Sequence, residues 1–290
     1  MRLFSEAEMK NLGYYNGRYG LLEYMSVPML DRSITFGDAV YESIYARNYI
    51  PYRIDEHIDR FFDSCGKMDI RLSFTKNKLK DIIFDLNAKV DSHEQMIYWQ
   101  ASRGTQLRSH VYDGDLIANL LIMIFPRSIY PPEKKIKMIT AADTRHDYCH
   151  IKNGNLLTNT IERTRAAREG CDEVIFIRDN SVTECSHSNI AILKDGVLIT
   201  APVGNSVLNG IARKHLIEKC KNSGIKTEER FFTVAEMKNA DVVINCSAGA
   251  LCNEVESIDG EKVGGKGGEL FDTLQKSIFD DFYAATTPNG

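Results

Sequence analysis

The 290-residue sequence lacks the features that mark most membrane and secreted proteins. No window reaches the roughly 18 apolar residues of a membrane span, and the residues after Met1 contain no apolar core of signal-peptide length. The seven cysteines show no paired short spacing, a pattern that favours reduced thiols over a disulfide framework. We therefore expect a cytoplasmic protein.

An excess of charge of one sign is also missing. Lys and Arg number 36 against 40 Asp and Glu, which gives a net charge of −4. No dense run of basic residues is interleaved with aromatics, so the sequence predicts neither a nucleic-acid groove nor contact with an anionic membrane surface. His146, Cys149 and His150 resemble a metal cluster, but no second cluster completes a tetrahedral site. We expect small-molecule partners and no metal.

What is present is an ordinary globular composition, with 43% hydrophobic and 26% charged residues. That length and composition allow one large domain or two of ordinary size. Three prolines fall within residues 126–132, the densest such cluster in the chain, and proline-rich segments commonly separate domains. We therefore predict a small α+β domain over 1–125, a linker over 126–132 and a larger α/β domain over 133–290.

Hydrophobic periodicity predicts the elements of both halves. Residues 37–45 alternate as a strand does, so Val40, Glu42 and Ile44 should share one face. The segment 115–125 is almost wholly apolar, which predicts a strand buried on both faces. The remaining predicted elements are helices over 57–68, 78–90, 155–168 and 210–222, and strands over 96–102, 173–178, 189–194, 197–199 and 240–246.

Two residues in the second half suggest a particular cofactor. Lys152 lies in a mixed polar and apolar stretch, and Glu184 follows a predicted helix and strand, in a serine-rich turn. A lysine can hold pyridoxal phosphate (PLP) as a Schiff base, and a carboxylate can keep its ring nitrogen protonated. This layout therefore favours PLP chemistry.

Such a cofactor also needs an anchor for its phosphate. The guanidinium of Arg60 can grip phosphate with two donors. Ile211 and Ala212 open a predicted helix, whose N-terminus attracts anions. Ser247 and Ala248 begin a turn of small residues after a buried strand, where the backbone can approach a phosphate closely. These residues are the candidate phosphate ligands.

Six ordered segments carry a family resemblance between about Tyr14 and Val255. They are Phe36–Glu42, Glu56–Arg60, Arg103–Gly104, Ile151–Leu157, Thr183–Asn189 and Leu208–Arg213. In these segments the chain resembles the fold type IV, or class IV, PLP-dependent aminotransferases. That family includes D-amino-acid, branched-chain and (R)-amine transaminases and aminodeoxychorismate lyase. The resemblance implies a two-domain α/β fold with the active site at the domain interface, and a homodimer in which the partner's loops help to close the site.

The resemblance also implies a role for each matching residue. Lys152 would be the catalytic residue, as Schiff-base lysine and proton shuttle. Ala212 and Ala248 stand where D-amino-acid transaminases often have threonines, so we expect looser retention of the cofactor. The implied cofactor-binding set is Arg60, Lys152, Glu184, Ser188, Leu208, Ile211, Ala212, Ser247 and Ala248.

The segment after Arg103 bears on the substrate. Arg108 and His110 are similar to the carboxylate trap of D-amino-acid transaminases, which Tyr41 would join, although Leu107 replaces the usual proline. A guanidinium can clamp the α-carboxylate and fix the α-carbon over the lysine. The trap implies ping-pong transamination of D-amino acids such as D-alanine and D-glutamate, with pyruvate or 2-oxoglutarate as acceptor.

Three alternatives remain open at this point. A branched-chain L-amino-acid aminotransferase would have a longer glycine-rich turn after its lysine, where this chain has Leu156 and Leu157. Aminodeoxychorismate lyase eliminates pyruvate and would need no keto-acid acceptor. A PLP-free binding protein on the same scaffold is disfavoured because both Lys152 and Glu184 are retained.

Overall fold

The computed structural model describes residues 9–288 and divides into two compact units. Unit 1 takes in the chain up to Ser128, the segment Ile151–Asn155 and the end of the chain from Ala284. Unit 2 consists of Ile129–His150 and Leu156–Tyr283. The first boundary lies inside the predicted linker. The units nevertheless differ from the predicted domains 1–125 and 133–290, because two later segments return to unit 1.

Unit 1 is built on a six-stranded antiparallel sheet with the order β2-β1-β6-β5-β3-β4. Its strands are β1 (Leu12–Tyr15), β2 (Arg18–Gly20), β3 (Ala39–Arg47), β4 (Ile50–Pro51), β5 (Glu94–Ser102) and β6 (Asn119–Pro126). Its helices are α1 (Arg32–Phe36), α2 (Ile54–Lys67), α3 (Lys76–Asn87) and a single-turn 3-10 helix (Leu22–Tyr24).

The core of unit 1 lies between α2, α3 and one face of this sheet. Val40, Glu42 and Ile44 are buried on that face, as the alternation of β3 predicts. The prediction that residues 115–125 are buried on both faces is wrong: along β6, every second residue from Leu120 to Ile124 is buried and the residues between are partly exposed. An antiparallel sheet packs one face on its core, so apolar residues on the other face do not imply burial.

Unit 2 contains a mixed sheet with the path β12-β11-β10-β13-β14-β7-β8-β9, and β15 pairs with β14. The pairs β7–β8, β7–β14 and β11–β12 are parallel, and the other pairs are antiparallel. The strands are β7 (Ile136–Ala142), β8 (Glu173–Arg178), β9 (Ser181–Cys185), β10 (Asn189–Lys194), β11 (Val197–Thr200), β12 (Lys226–Glu229), β13 (Val242–Cys246), β14 (Asn253–Ile258) and β15 (Glu261–Lys262). The helices are α4 (Leu157–Arg168), α5 (Ile211–Asn222), α6 (Val234–Lys238) and α7 (Gly268–Ala285).

The predicted α/β class is confirmed by these two units. Residues 189–194 form an internal strand of the unit 2 sheet, between β11 and β13, and are buried almost throughout. Within residues 9–288, none of the helices has the length and apolar character needed to cross a membrane.

Candidate active site

The segment that carries Lys152 is an extension of the unit 1 sheet. Tyr41 N, on β3, donates to the carbonyl of Lys152 at 2.9 Å, and Gly154 N donates to the carbonyl of Ala39 at 2.9 Å. These two bonds fix the backbone on either side of the lysine. Lys152 Nζ lies 4.3 Å from the centre of the Tyr41 ring, within cation–π range. The structure therefore brings together two residues that the sequence assigned to different roles.

Arg60 is held by a carboxylate from the same strand. Arg60 Nε and Nη2 donate to the two oxygens of Glu42 at 2.6 and 2.8 Å. His57, one turn earlier on α2, places Nδ1 2.7 Å from Glu42 Oε2. The alternation of β3 turns Glu42 into the core, where it is fully buried. A carboxylate is tolerated there only because charged and polar partners meet both of its oxygens.

The charges in this cluster can be assigned from its surroundings. Burial alone would raise the pKa of Glu42, but the charges and hydrogen bonds of Arg60 and His57 outweigh it and lower that pKa to about 2. Burial, with the charges of Arg60 and Lys152, lowers the pKa of His57 against the opposing effect of Glu42. Near neutral pH, Glu42 is therefore ionised, and its negative charge is paired with the guanidinium of Arg60.

Replacing Glu42 by glutamine should lower the stability of the protein. Removing one partner of a buried charge pair leaves the other charge uncompensated, at a cost of about 3–5 kcal/mol. Asp59→Asn is the matched control, because its ion pair with Lys76 is exposed and such pairs contribute about 1 kcal/mol or less. Chemical denaturation monitored by circular dichroism would measure both losses. Equal losses in the two variants would contradict the assigned burial of the Glu42 pair.

Acid should remove the same stabilisation. The folded-state pKa of Glu42, about 2, lies below its ordinary value of 4.5. The stabilisation is therefore complete above about pH 4.5 and is lost as the pH falls toward about 2. We expect the difference in thermal midpoint between the wild type and Glu42→Gln to narrow over that window. A difference that stays constant between about pH 6 and about pH 3 would contradict this linkage.

The predicted carboxylate trap lies on an exposed loop of unit 1. The guanidinium carbon of Arg108 is 5.1 Å from the centre of the Phe36 ring, and the ring of His110 meets Phe36 edge-on at 5.3 Å. Tyr41 contacts Lys152 and stacks on Tyr98, whose ring centre is 5.5 Å away. Among the described contacts, Arg108 and His110 therefore share one neighbour, Phe36, whereas Tyr41, the third predicted member of the trap, contacts Lys152 instead.

The Arg103–Gly104 motif fixes the base of that loop. Arg103 Nε donates to Asp38 Oδ2 at 2.8 Å, and its other nitrogens donate to the carbonyls of Met68 and Asp69. Gly104 has a φ of +129°, and a Cβ there would lie 2.6 Å from the carbonyl oxygen of Ile117. Only glycine fits such a position. The contacts give this motif a structural role.

In unit 2, Glu184 lies near the end of β9 and is only 7% exposed. Its Oε1 accepts from Arg145 Nη1 at 2.5 Å. Its Oε2 accepts from Asn189 Nδ2 at 3.2 Å and from Leu208 N at 2.9 Å. Three donors, one of them a cation, stabilise the charged form of a carboxylate. Glu184 is therefore a fixed, buried anion.

Sequence reasoning missed Arg145 and Asp143, which follow directly after β7. Arg145 Nε and Nη2 donate to the two oxygens of Asp143, each at 2.9 Å. Burial alone would lower the pKa of Arg145, but its bonds to Asp143 and the charge of Glu184 raise it above its ordinary value. Burial likewise opposes the ionisation of Asp143, and the bond from Arg145 lowers its pKa. A sequence pattern could have identified them, because an aspartate and an arginine stand two positions apart just after a buried strand.

Ser188, predicted to bind the cofactor, is tied into the turn after β9. Its hydroxyl donates to Glu173 Oε2 at 3.0 Å and accepts from Asn245 Nδ2 at 2.6 Å. Ser186 donates to the same buried Glu173 at 2.5 Å. The turn is thus built around a buried carboxylate on β8, which sequence reasoning also missed.

Helix α5 has the N-terminus expected of an anion site. Gly210 precedes it and supplies no side chain to cap it, so the first-turn amides of Ile211 and Ala212 point outward without a side-chain acceptor. A Cβ on Gly210 would lie only 1.9 Å from Asn189 Oδ1, so the close approach requires glycine.

The other predicted amide site is the turn after β13. Ala250 N donates to Ser247 Oγ at 3.0 Å, and Leu251 N donates to the carbonyl of Ser247 at 2.8 Å. These bonds shape a tight turn in which Ala248 is half-buried.

Across the described part of the chain, no three His, Cys, Asp or Glu side chains gather so as to hold a metal ion.

Comparison with known proteins identifies the family. The sequence model of one protein family, the class IV aminotransferases, matches residues 39–258. The D-alanine aminotransferase of Bacillus licheniformis is 36% identical over 281 residues, which cover 94% of this chain and 97% of that relative. The D-alanine aminotransferase of Staphylococcus haemolyticus is 35% identical over 270 residues, 91% of this chain and 95% of the relative.

Solved structures share the fold. The branched-chain amino acid aminotransferase of Escherichia coli superposes with a TM-score of 0.85 at 24% identity and covers 97% of each chain. The branched-chain amino acid aminotransferase of Thermoproteus uzoniensis, solved with norvaline, gives a TM-score of 0.84 at 21% identity over 92% of this chain and 93% of the other. A further branched-chain enzyme of the same fold was solved with pyridoxamine 5'-phosphate. The resemblance in the six sequence segments is confirmed: the chain belongs to the class IV aminotransferase family.

Proposed function

We propose that this protein is a PLP-dependent transaminase that moves the amino group of a D-amino acid to a 2-keto acid by a ping-pong mechanism. The observation that carries the proposal is the buried Glu184 carboxylate, which Arg145, Asn189 and Leu208 hold in its charged form. A fixed anion of this kind suits a protonated ring nitrogen. The names of the relatives, D-alanine aminotransferases at 33–36% identity, support the D-amino-acid substrate class.

The described residues fit the chemical groups of pyridoxal phosphate. When bound, this cofactor supplies an aldehyde for amino groups and a ring that withdraws electrons from the substrate α-carbon. The amine of Lys152 is suited to the aldehyde, and Glu184 to the ring nitrogen. For the phosphate we propose the guanidinium of Arg60, the α5 amides of Ile211 and Ala212, and the turn at Ser247 and Ala248.

Each of these residues has a defined task in the proposed reaction. Lys152 Nζ would hold the aldehyde and carry the proton that leaves the substrate α-carbon. Glu184 would hold the ring nitrogen in its protonated form, because a carboxylate favours a cationic partner. Leu208 would pack under the ring, and Ser188 would hold the turn that carries Glu184. Ala212 and Ala248 add no hydroxyl donors, so we still expect looser retention of the phosphate.

For the substrate, we propose that Arg108 and His110 bind the α-carboxylate. A charge-assisted hydrogen bond contributes about 1.5–3 kcal/mol, so Arg108→Met should raise the D-alanine concentration needed for half-saturation by about 10- to 100-fold. Arg71→Met is the control, since Arg71 is exposed and pairs with Asp115. The measurement is the rate at which D-alanine bleaches the visible absorbance of the PLP-bound protein.

The same assay separates the alternatives. Bleaching by D-alanine but not by L-leucine supports the proposed function. Bleaching by L-leucine alone would favour the branched-chain L-aminotransferase and reject the role of Arg108 and His110. Steady release of pyruvate from aminodeoxychorismate, without any keto-acid acceptor, would favour the lyase.

We also propose that the protein is a homodimer in which the loop of Arg108 and His110 serves the partner subunit. Met29, Ile34, Leu107 and Val111 are between 62% and 87% exposed. The bond from Gln106 N to the carbonyl of Leu30 joins the two segments that carry these side chains, and exposed apolar patches mark interaction surfaces.

Leu107→Asp should shift the dimer to monomer in sedimentation velocity and reduce activity at low protein concentration. Phe84→Asp on α3, an exposed apolar residue outside these segments, should leave the dimer intact. A wild-type protein that sediments as a monomer would reject the proposal.

The state of the cysteines supports the proposed cytoplasmic setting. All seven are free thiols, and five of them are buried. Thiols without disulfide partners suit a reducing compartment.

A further inference from the structure

We propose that Asp143 and Arg145 are positioning residues that set the charge and the orientation of Glu184, and through it the protonation of the cofactor ring nitrogen. The inference rests on the proposed function of Glu184. Asp143 and Arg145 lie behind Glu184, and neither belongs to the six sequence segments that carry the family resemblance.

The geometry fixes the guanidinium of Arg145 from several sides. Both oxygens of Asp143 bind it, through Nε and Nη2 at 2.9 Å each. Nη2 also donates to the carbonyl of Ser206 at 3.0 Å, and the guanidinium carbon lies 4.5 Å from the centre of the Phe176 ring. The remaining nitrogen, Nη1, is thereby aimed at Glu184 Oε1, 2.5 Å away. A planar guanidinium held in this way can orient a carboxylate in a single direction.

Burial makes the charges in this cluster effective. The side chains of Asp143, Arg145 and Glu184 are 0%, 3% and 9% exposed. Charges interact more strongly where water is excluded. Thr183 Oγ1 donates to Asp143 Oδ2 at 2.9 Å and completes the shell around the aspartate. Each member of the cluster therefore acts on its neighbours with little screening.

The charge balance explains why Arg145 is paired with an aspartate. Arg145 alone beside Glu184 would form a neutral pair, with little attraction for a further cation. The negative charge of Asp143 cancels that of Arg145, so the three residues together keep one net negative charge, which Glu184 presents. A protonated ring nitrogen would neutralise it. Asp143 thus allows Arg145 to orient Glu184 without cancelling its charge.

The neighbouring titratable groups leave this balance unchanged. Arg178 lies 3.4 Å from Asp143 Oδ2, but it also pairs with the exposed Asp147 at 2.6 Å. Burial raises the pKa of the Cys149 thiol to about 11, so this nearby group is neutral.

The test is a comparison of PLP-bound variants. Asp143→Asn keeps the shape of the side chain and removes its charge, and Arg145→Lys keeps the charge and loses the planar fork. With a cofactor labelled with ¹⁵N in the ring, the nitrogen chemical shift reports protonation independently of activity. For Asp143→Asn we expect the nitrogen chemical shift to move toward that of the unprotonated ring. We also expect kcat to fall by about 10- to 100-fold with little change in KM, because a pKa of the nitrogen that is lower by about one to two would reduce the protonated fraction by that factor. Arg145→Lys should give a smaller change in the same direction.

A double-mutant cycle tests the route through Glu184. If Asp143 acts through Glu184, adding Asp143→Asn to Glu184→Gln should cause little further loss. Arg213→Met removes another buried arginine of unit 2, one that pairs with Glu229, and should leave the nitrogen shift unchanged. The inference would be overturned, with the role of Glu184 left intact, if Asp143→Asn kept the wild-type nitrogen shift and kcat. Losses in kcat that multiply in the double variant would overturn it in the same way. A wild-type shift in Glu184→Gln would overturn the assigned role of Glu184 and the inference with it.

Discussion

Replacing Lys152 by alanine should lower the turnover number by roughly 10⁴-fold, because one side chain supplies both the amine for the cofactor and the base for the α-proton. The backbone of this residue is fixed by its bond from Tyr41 N at 2.9 Å, and its amine lies 4.3 Å from the centre of the Tyr41 ring. Alanine leaves this backbone intact and removes only the amine. The loss should therefore appear in the rate of α-proton transfer, with little change in the thermal midpoint.

Single-turnover bleaching of the visible absorbance by D-alanine measures that loss. Lys76→Ala is the control, because Lys76 is 52% exposed and forms a surface ion pair with Asp59. A small primary amine added to Lys152→Ala should restore part of the rate if the missing group is the base. Retention of more than about a tenth of the wild-type rate would reject Lys152 as the proton carrier.

Replacing Glu184 by glutamine should slow α-proton transfer by on the order of 10²–10³-fold, a loss of the size measured when one fixed electrostatic partner is removed from an active site. Cofactor affinity should fall by less, about 10-fold, since a charge-assisted hydrogen bond is worth about 1.5–3 kcal/mol and glutamine keeps a neutral oxygen acceptor. A neutral amide cannot raise the pKa of the ring nitrogen as a carboxylate does.

The contacts of Glu184 predict a second effect of this substitution. Glu184 accepts from Arg145 on one oxygen and from Leu208 N on the other. Glutamine has one oxygen and one amide nitrogen, so its own N–H groups must face at least one of these donors. We therefore expect a lower thermal midpoint as well. Glu236→Gln, which breaks the partly exposed ion pair with Arg230, is the control, and a near-native single-turnover rate in Glu184→Gln would reject its proposed role.

Local patterns were sufficient to predict many elements of the fold. The predicted bounds of β8 and β10 match the structure, and α5 begins one residue after its predicted start. The alternation in β3 placed Glu42 on the core face, as the structure confirms. Periods of two and 3.6 residues depend only on neighbours along the chain, so they can be read without knowing the tertiary structure.

The partners of the buried charges could not be predicted in the same way. Arg145 meets Glu184 because β7 pairs with β8 and β8 pairs with β9. That register is set by packing and by the turn between strands, and no local period encodes it. Glu42 offered a usable signal, since a charged residue at an apolar position requires a buried partner. The identity of that partner depended on how α2 packs against the sheet.

Helix α7 was not predicted, and the domain boundaries were incomplete. Residues 268–285 follow a segment rich in glycine, which obscured the start of the helix. The segment Ile151–Asn155 is embedded in the sequence of unit 2 and yet belongs to unit 1. A division by linker composition assumes that each domain is one continuous stretch, and here that assumption fails.

This interleaving has a consequence for how the chain can be made and divided. On the ribosome, unit 1 cannot be complete when Ser128 emerges, because Ile151–Asn155 and the segment from Ala284 are still to be synthesised. One of its late contacts is the bond from Asn48 Nδ2 to the carbonyl of Thr286, at 3.0 Å. The six strands of its sheet all precede Ser128, but unit 1 is completed only when nearly the whole polypeptide has been made. A fragment cut at Ser128 would also lack Lys152, so neither unit can be exchanged as a continuous cassette.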